Sequence, residues 1–423
     1  MIPVRSVTLG PRWLQERRAQ LACAVVAMVF IAPLQYAWTL FTTPLSDANG
    51  WSLAQVQLAF TFFVVAQTAS QPIGGYLLDR RGLALPFAAA AVLIAGGWGG
   101  LAVANSLFLL YVLYALAGIG AGLVYAGAIG AAIRWFPERR GMALGLVAAG
   151  FGAGAAPFIP LVGRVIASGG YRWAFAATGI ATAVVVFAAG LVLRHPPHHA
   201  EAHDSPTDDG VARDVAHAHG AKPSALLAMG RFWFAFLAFL FMATGLLILT
   251  ANTQPLAADL SLSSTVIIVA ITLQQISNGA SRVVWGWVSD KAGRRRTMAV
   301  AFCLNAVILT LIPVLGTIPV LFIVLTSLAF FTSGEIFALF PALTADMFGT
   351  RYAAANQGML YTAKGIAALG GGALAAYLAS AFSWTLVFAC AGALAFVSAV
   401  MVIASGKNAT SSRAVSAECG ADV

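Results

Sequence analysis

Twelve long apolar runs constrain the fold of this chain more than any other feature of its sequence. Each has about the 20 residues that a helix needs to cross a bilayer core. They lie near residues 20–42, 54–78, 83–104, 107–133, 142–166, 173–193, 229–254, 263–289, 297–315, 318–345, 357–380 and 384–404. A membrane-spanning barrel would instead need strands of alternating polar and apolar residues. The pattern predicts an all-α polytopic membrane protein with twelve transmembrane helices, numbered here as spans one to twelve.

The composition excludes the main soluble classes of protein. Hydrophobic residues make up 60% of the 423 residues and charged residues 9%, whereas an ordinary soluble domain has about 25% charged residues. A soluble multi-domain enzyme, a disordered protein and a nucleic-acid binder are therefore excluded, although the net charge is +9. The four cysteines have no paired spacing, so neither a disulfide framework nor a metal site is expected. The chain shows no catalytic set or nucleotide loop, and we expect neither enzyme activity nor a cofactor.

The basic residues predict the orientation of the chain. Of the 24 lysines and arginines, 20 lie in the N-terminal segment, the even-to-odd connectors, the central loop and the tail, or at span ends beside them. Two lie in or beside the loop after span five. By the positive-inside rule, this asymmetry places both termini and the central loop in the cytoplasm.

A polar stretch divides the chain into two halves. We expect a cytoplasmic N-terminal segment (1–19), a six-helix half (20–194), a cytoplasmic linker (195–227), a second six-helix half (228–404) and a cytoplasmic tail (405–423). The linker contains all six histidines: His195, His198, His199, His203, His217 and His219. Metal binding and pH sensing are the functional alternatives for this stretch. A solvated linker is favoured, because the stretch lacks apolar periodicity.

One short motif occurs in both halves, between the second and third span of each. The first copy is Gly75-Tyr-Leu-Leu-Asp79-Arg80-Arg81-Gly82, and the second is Gly286-Trp-Val-Ser-Asp290-Lys291-Ala-Gly293-Arg294-Arg295. Asp79 and Asp290 are 211 residues apart, as are Gly82 and Gly293. The glycines permit a tight turn, the Asp can cap or pair with a helix end, and the basic residues hold the loop in the cytoplasm. The repeated loop resembles the signature loop of the major facilitator superfamily, whose parallel repeats implicate a substrate site near mid-membrane between the halves.

Two cations lie deep inside predicted spans, Arg282 in span eight and Lys364 in span eleven. Arg282 precedes Asp290 by eight residues, which is about 12 Å along a helix. A charge at such a depth costs at least about 2.5–3.5 kcal/mol. Snorkelling or pairing with acids are the alternatives, but we favour binding of an anionic substrate. The fork of an arginine and the point charge of a lysine together suit an acid with one or two carboxylates.

The N-terminal half supplies neutral polar groups instead of cations. Gln71 is the position equivalent to Arg282 by the offset of 211 residues. Polar residues that stand out in the apolar spans of both halves are Gln35, Gln57, Gln67, Gln71, Gln274, Gln275 and Asn278. Glu335 is the third deep charge, in span ten. It could pair with a cation, carry a coupling proton or lie at the cavity edge. If it is ionised near the cations, one net positive charge remains, which favours a monocarboxylate.

The chain resembles the bacterial oxalate:formate antiporter family from about Trp13 to about Ala404. Six segments carry the resemblance: Gln35-Tyr-Ala-Trp-Thr-Leu-Phe41, Gln67-Thr-Ala-Ser-Gln-Pro-Ile-Gly-Gly75, Arg134-Trp-Phe-Pro-Glu-Arg-Arg-Gly141, Asn278-Gly-Ala-Ser-Arg282-Val-Val-Trp-Gly-Trp-Val-Ser-Asp290, Phe337-Ala-Leu-Phe-Pro341, and Ala363-Lys364 with Gly370-Gly-Gly372. The resemblance implies that Arg282 and Lys364 bind the dicarboxylate. It also implies that aromatic residues line the cavity, at Tyr36, Tyr125, Phe151, Phe337 and Tyr361.

Five positions depart from the family's pattern. Ser333 stands where the family has Trp, and Glu335 where it has Gly. Phe151 and Phe337 replace Tyr, and Tyr361 replaces Trp. Because the cations are kept and the walls are altered, transport of a small anion is expected, while the preferred acid could be formate, lactate, pyruvate or another small carboxylate rather than oxalate.

These observations predict a secondary active transporter of small carboxylate anions by alternating access, of the oxalate:formate antiport type. The first alternative is a proton-coupled symporter of formate, lactate or pyruvate with the same fold. An alternative from another class is a carboxylate sensor that does not transport. The expected surroundings are the lipid bilayer of a bacterial cytoplasmic (inner) membrane, where the protein would work as a monomer without nucleic-acid partners.

Overall fold

The computed structural model describes residues 17–136, 140–194, 223–348 and 353–418. These residues contain helices and no strand. Most of the predicted linker, with all six histidines, lies outside the described residues, as do the first 16 residues of the predicted N-terminal segment.

The helices of the N-terminal half form six successive spans. Span one consists of Arg17–Tyr36 and Thr39–Asn49, span two of Leu53–Arg81, span three of Ala84–Gly97 with the 3-10 turn Gly99–Val103, and span four of Leu107–Trp135. Span five begins with Arg140–Gly154, and the helix Phe158–Val192 completes it and forms span six. The boundary between spans five and six is Gly170, whose backbone is non-helical, with φ 81° and ψ 164°.

The C-terminal half repeats this arrangement. Span seven is Gly230–Asp259, preceded by the short helix Pro223–Leu226. Span eight is Ser264–Ala292, span nine is Arg294–Leu315, and span ten consists of Pro319–Ser333 and Ile336–Phe348. Span eleven combines Ala353–Leu369, the π-helical turn Gly370–Leu374 and Ala375–Ala381, and span twelve is Trp384–Glu418. The structure therefore confirms the predicted all-α fold within the described part of the chain, and its helices can be assigned in order to the twelve predicted spans.

Spans eight and eleven differ from the other spans in polarity. Nine stretches of the described residues are long and apolar enough to cross a membrane by length and composition, and one of them, Met142–Val192, covers spans five and six. Spans eight and eleven are not among these stretches, and they carry Arg282 and Lys364. Both cations are buried within the protein, because lipid cannot satisfy polar groups on the outer surface.

The outer surface of the helices is apolar. Large hydrophobic side chains such as Val92, Phe108, Ile180, Val307 and Val320 are among the exposed ones. Polar residues such as Gln57, Gln274, Asn278 and Asn305 are fully or almost fully buried. A soluble protein shows the opposite distribution, and exposed apolar surface on this scale marks contact with lipid.

Each half packs mainly within itself, and a few helix pairs join the halves. Spans two and four make the most extensive contact in the N-terminal half, and spans nine and twelve in the C-terminal half. Between the halves, span five packs against span eight, span two against span eleven, and the second helix of span one against span seven. The two cation-bearing spans therefore lie at the interface between the halves.

Glycines at alternate positions let span four approach two neighbours at once. Residues two apart on an α-helix point to nearly opposite sides, whereas residues four apart share a face. Gly118 and Gly122 face span two, where an added Cβ would overlap the carbonyls of Phe63 and Gln67. Gly120 faces span three, where an added Cβ would lie 2.9 Å from the carbonyl oxygen of Ala90. The Gly-x-Gly-x-Gly pattern is thus a packing device.

Replacing Gly122 by Ala should destabilise the protein, because the new methyl group would overlap the Gln67 carbonyl and the Ser70 hydroxyl of span two. We expect the loss that overpacking of a tight core produces, about 1–3 kcal/mol. It would be measured as a lower melting temperature of the purified protein in detergent. Gly130→Ala in the same span is the matched control, because nothing lies within 4 Å of an added Cβ there. Equal melting temperatures for the two variants would contradict this role of Gly122.

Candidate substrate-binding site

Arg282 and Lys364 lie buried where the two halves meet. Each has only 4% of its surface exposed. Both come from the C-terminal half, from spans eight and eleven, yet the groups that accept their hydrogen bonds belong to the N-terminal half. Each cation therefore ties one half of the molecule to the other.

Two glutamines of the N-terminal half hold Lys364. Its Nζ donates to Gln35 Oε1 at 3.1 Å and to Gln67 Oε1 at 3.0 Å. Gln35 lies on span one and Gln67 on span two, and both are almost completely buried. These acceptors satisfy two of the three N–H groups of the ammonium without neutralising its charge.

Arg282 reaches across to span five. Its Nη1 donates to the carbonyl oxygen of Ala148, and its Cζ lies 4.9 Å from the ring centroid of Phe337, within the range of a cation–π contact. Its Nε is buried and has no hydrogen-bond partner among the described residues. The guanidinium therefore retains an unused donor on the edge with which arginine binds a carboxylate.

The five aromatic residues implied by the family resemblance come together around the two cations. Ring centroids lie 5.4 Å apart for Tyr36 and Phe151, 5.5 Å for Tyr125 and Phe151, and 5.9 Å for Phe337 and Tyr361. Lys364 Nζ is 5.9 Å from the Phe151 centroid and 5.7 Å from that of Phe337. The rings form a wall that keeps water from the cations, which strengthens their attraction for an anion.

Hydroxyl groups on this wall also connect the halves. The hydroxyls of Tyr125 and Tyr361 lie 3.4 Å apart. Asn278 Nδ2 donates to the Tyr36 hydroxyl at 3.1 Å. Because the Tyr36 oxygen accepts this bond, its own proton is available to donate to an anion.

The acidic and small residues of span ten lie at its break. Gly334 and Glu335 separate the helices that end at Ser333 and start at Ile336. Glu335 is 0% exposed, and neither carboxylate oxygen forms a full hydrogen bond with a described residue, although the backbone N–H groups of Glu335 and Ile336 interact with the carboxylate. No ion pair in the described structure joins it to Arg282 or Lys364. Ser333 is buried and donates to the Ala329 carbonyl at 2.7 Å.

The remaining predicted positions lie outside this cluster. Gln71 is partly buried, one turn beyond Gln67, and makes no hydrogen bond to either cation in the described structure. In the first signature loop, Gly75, Asp79 and Arg80 belong to the last turns of span two, and Gly82 follows with φ 75°. Gly293, the equivalent glycine of the second loop, also has a positive φ, 87°. The predicted tight turns are therefore present in both halves.

The second signature loop is anchored at the end of span ten. Gly286, Asp290 and Lys291 lie in the last turns of span eight. Arg294 Nε pairs with Asp346 Oδ2 at 2.6 Å, and Lys291 Nζ lies 3.8 Å from the ring centroid of Trp287. These side chains lie at the ends of their helices, outside the cluster around Arg282 and Lys364.

Two contributors to the site were not predicted. The Ala148 carbonyl carries no sequence signal, because any residue would supply it. Gly152 lies against the Arg282 guanidinium, and its only signal is its place in a second Gly-x-Gly-x-Gly pattern, at residues 150–154.

Replacing Gln67 by Leu should lower the melting temperature of the substrate-free protein, because Lys364 loses one of its two acceptors. A hydrogen bond to a charged group contributes about 1.5–3 kcal/mol. Gln71→Leu, on the same span, is the matched control and should change the melting temperature little. If both variants melt alike, the glutamine contact with Lys364 is not a significant source of stability.

Comparison with known proteins identifies the family. The Major Facilitator Superfamily model matches residues 23–253 and 234–418. The oxalate:formate antiporter of Oxalobacter formigenes is 38% identical over 400 residues, covering 93% of this chain and 92% of that protein. An uncharacterized 38 kDa protein of Thermoproteus tenax is 31% identical over 89% of this chain and 92% of its own length. Monocarboxylate transporter 13 of Bos taurus is 26% identical over 80% of this chain and 78% of its own length. The chain therefore belongs to the major facilitator superfamily and, within it, to the oxalate:formate antiporter family.

Proposed function

We propose that the protein exchanges small carboxylate anions across a bacterial inner membrane by alternating access, as an oxalate:formate-type antiporter. The observation that carries this proposal is the pair of buried cations, Arg282 and Lys364, whose partners in the described structure are neutral. Neutral acceptors satisfy hydrogen bonds but leave the charge. A bound carboxylate would compensate it in a site from which water is largely excluded.

The geometry favours a substrate with carboxylate groups at its two ends. The unpartnered Nε edge of Arg282 suits one carboxylate, and the third N–H of Lys364 suits the other. Oxalate would engage both cations, whereas formate would engage one. The aromatic wall would pack against the flat faces of either anion.

The arrangement of the halves supports alternating access. The cations and their acceptors come from opposite halves, so the site is complete only when the halves are together. Movement of one half against the other would open the site to one side of the membrane. One chain supplies both halves, so a monomer suffices. The bias of basic residues supports cytoplasmic termini, with the halves and linker divided as the sequence predicts.

Purified protein in liposomes preloaded with oxalate, formate or buffer should take up labelled oxalate only when an anion is inside. Arg282→Ala and Lys364→Ala should each reduce this exchange at least about tenfold, because each removes a charged hydrogen-bond donor of the site. Arg231→Ala is the control, since Arg231 is an exposed basic residue of the same half, outside the site and the signature loops. Uptake into buffer-loaded liposomes at the same rate, or full activity of both site variants, would refute the proposal.

A second candidate function is proton-coupled uptake of a monocarboxylate, and Glu335 is the residue that favours it. An ionised carboxylate without an opposite charge beside it is costly in an apolar interior. Glu335 is fully buried and forms no ion pair in the described structure, so it fits a protonated acid in this conformation. A residue that is protonated in the closed site and loses its proton when exposed to water could couple proton movement to transport.

Glu335→Gln keeps the shape of the side chain and removes its ionisation, so it distinguishes the two functions. For the antiporter, an inward proton gradient without internal anion should drive no accumulation of lactate or formate, and Glu335→Gln should retain oxalate exchange. Gradient-driven lactate accumulation by the unmodified protein that is lost in Glu335→Gln would instead establish the symporter. The same measurement with the gradient collapsed by an ionophore is the control.

A further inference from the structure

Gly152 has a role different from that of the glycines on either side of it. Gly150, Gly152 and Gly154 lie in the first helix of span five. Residues two apart on an α-helix point in nearly opposite directions. Gly150 and Gly154 accordingly face Val25 and Val29 of span one, whereas Gly152 faces Arg282 of span eight. The outer two glycines therefore pack the helix, and the central one borders the substrate site.

The guanidinium of Arg282 lies with its flat face against Gly152. A Cβ added at Gly152 would lie 3.1 Å from Cζ, 3.1 Å from Nε and 3.3 Å from Nη2. A point beside the donor edge would be nearer to the two nitrogens than to the carbon. Nearly equal distances place the point over the plane instead, so the edge formed by Nε and Nη2 is not covered by Gly152.

One turn of span five thus holds the guanidinium at two points. Its face rests on Gly152, and Nη1 donates to the carbonyl of Ala148, four residues earlier. The Nε donor is left without a partner among the described residues. The Tyr36 hydroxyl also interacts with Arg282. This orientation leaves for the substrate the Nε donor, which lies on an edge that can bind a carboxylate in bidentate fashion.

We propose that Gly152 is a specificity-determining position, because the absence of a side chain there lets the guanidinium plane of Arg282 take its orientation relative to Lys364. The inference rests on the proposed function and deepens it. A two-ended anion such as oxalate needs both cations at one separation, whereas formate needs a single cation. A displaced fork therefore weakens oxalate binding more than formate binding.

The test compares Gly152→Ala with Gly150→Ala. An added Cβ at Gly150 would lie 3.2 Å from Val25 of span one, so the two variants crowd span five similarly but on opposite sides. The measurements are the KM values for oxalate and formate in exchange by liposomes. Gly152→Ala should raise the KM ratio of oxalate to formate by about tenfold, since a misplacement of about 1 Å can cost about 100-fold and the shift needed here is smaller. Gly150→Ala should leave the ratio unchanged.

Failure of the proposed function and failure of the role of Gly152 give different results. Absence of exchange by the unmodified protein would refute the proposed function. Exchange with the same KM ratio in the unmodified protein and both variants would overturn the role of Gly152 and leave the function standing. If Gly152→Ala transports neither anion, the rise in melting temperature that oxalate and formate each produce in purified protein decides the point. If Gly152→Ala reduces the rise produced by oxalate more than the rise produced by formate, the role of Gly152 is supported. Equal reductions overturn it.

Discussion

The structure depends on the way two buried cations of one half are held by neutral groups of the other. Lys364 is bound by the side-chain oxygens of Gln35 and Gln67, and Arg282 by the backbone of span five. Burying a charge without an opposite charge is expensive, and hydrogen bonds offset only part of that cost. In the proposed exchange, a bound carboxylate would offset the remaining imbalance. That imbalance makes the fit between the halves sensitive to what occupies the site.

Glycine makes this arrangement sterically possible. In span four, glycines bring span two close, and span two carries Gln67 to the interface. In span five, one glycine bears the Arg282 guanidinium directly. In span eleven, added Cβ atoms at Gly371 and Gly372 would meet span seven and span two. The same small residue therefore packs helices within a half and allows side chains to reach between halves.

Much of the fold and part of the site could be predicted from the sequence alone. Apolar run length predicts the twelve spans, because a helix must satisfy its own backbone in lipid. The offset of 211 residues between signature loops predicts the repeat, and both loop glycines adopt the positive φ that a tight turn requires. Arg282 and Lys364 stand out because charges are rare in such spans. Breaks within a span were not predicted, and span ten is interrupted at Gly334 and Glu335.

The amino-acid sequence by itself determined the class of protein, the expected number of spans and the identity of the two deep cations, because these follow from local composition. Only the tertiary structure decided which neutral groups hold the cations, since Gln35 and Gln67 are 329 and 297 residues from Lys364. It also separated Gln67, which binds the lysine, from Gln71, one turn away on the same helix. Sequence periodicity shows which residues share a helix face, but the packing of helices from two halves determines what that face meets.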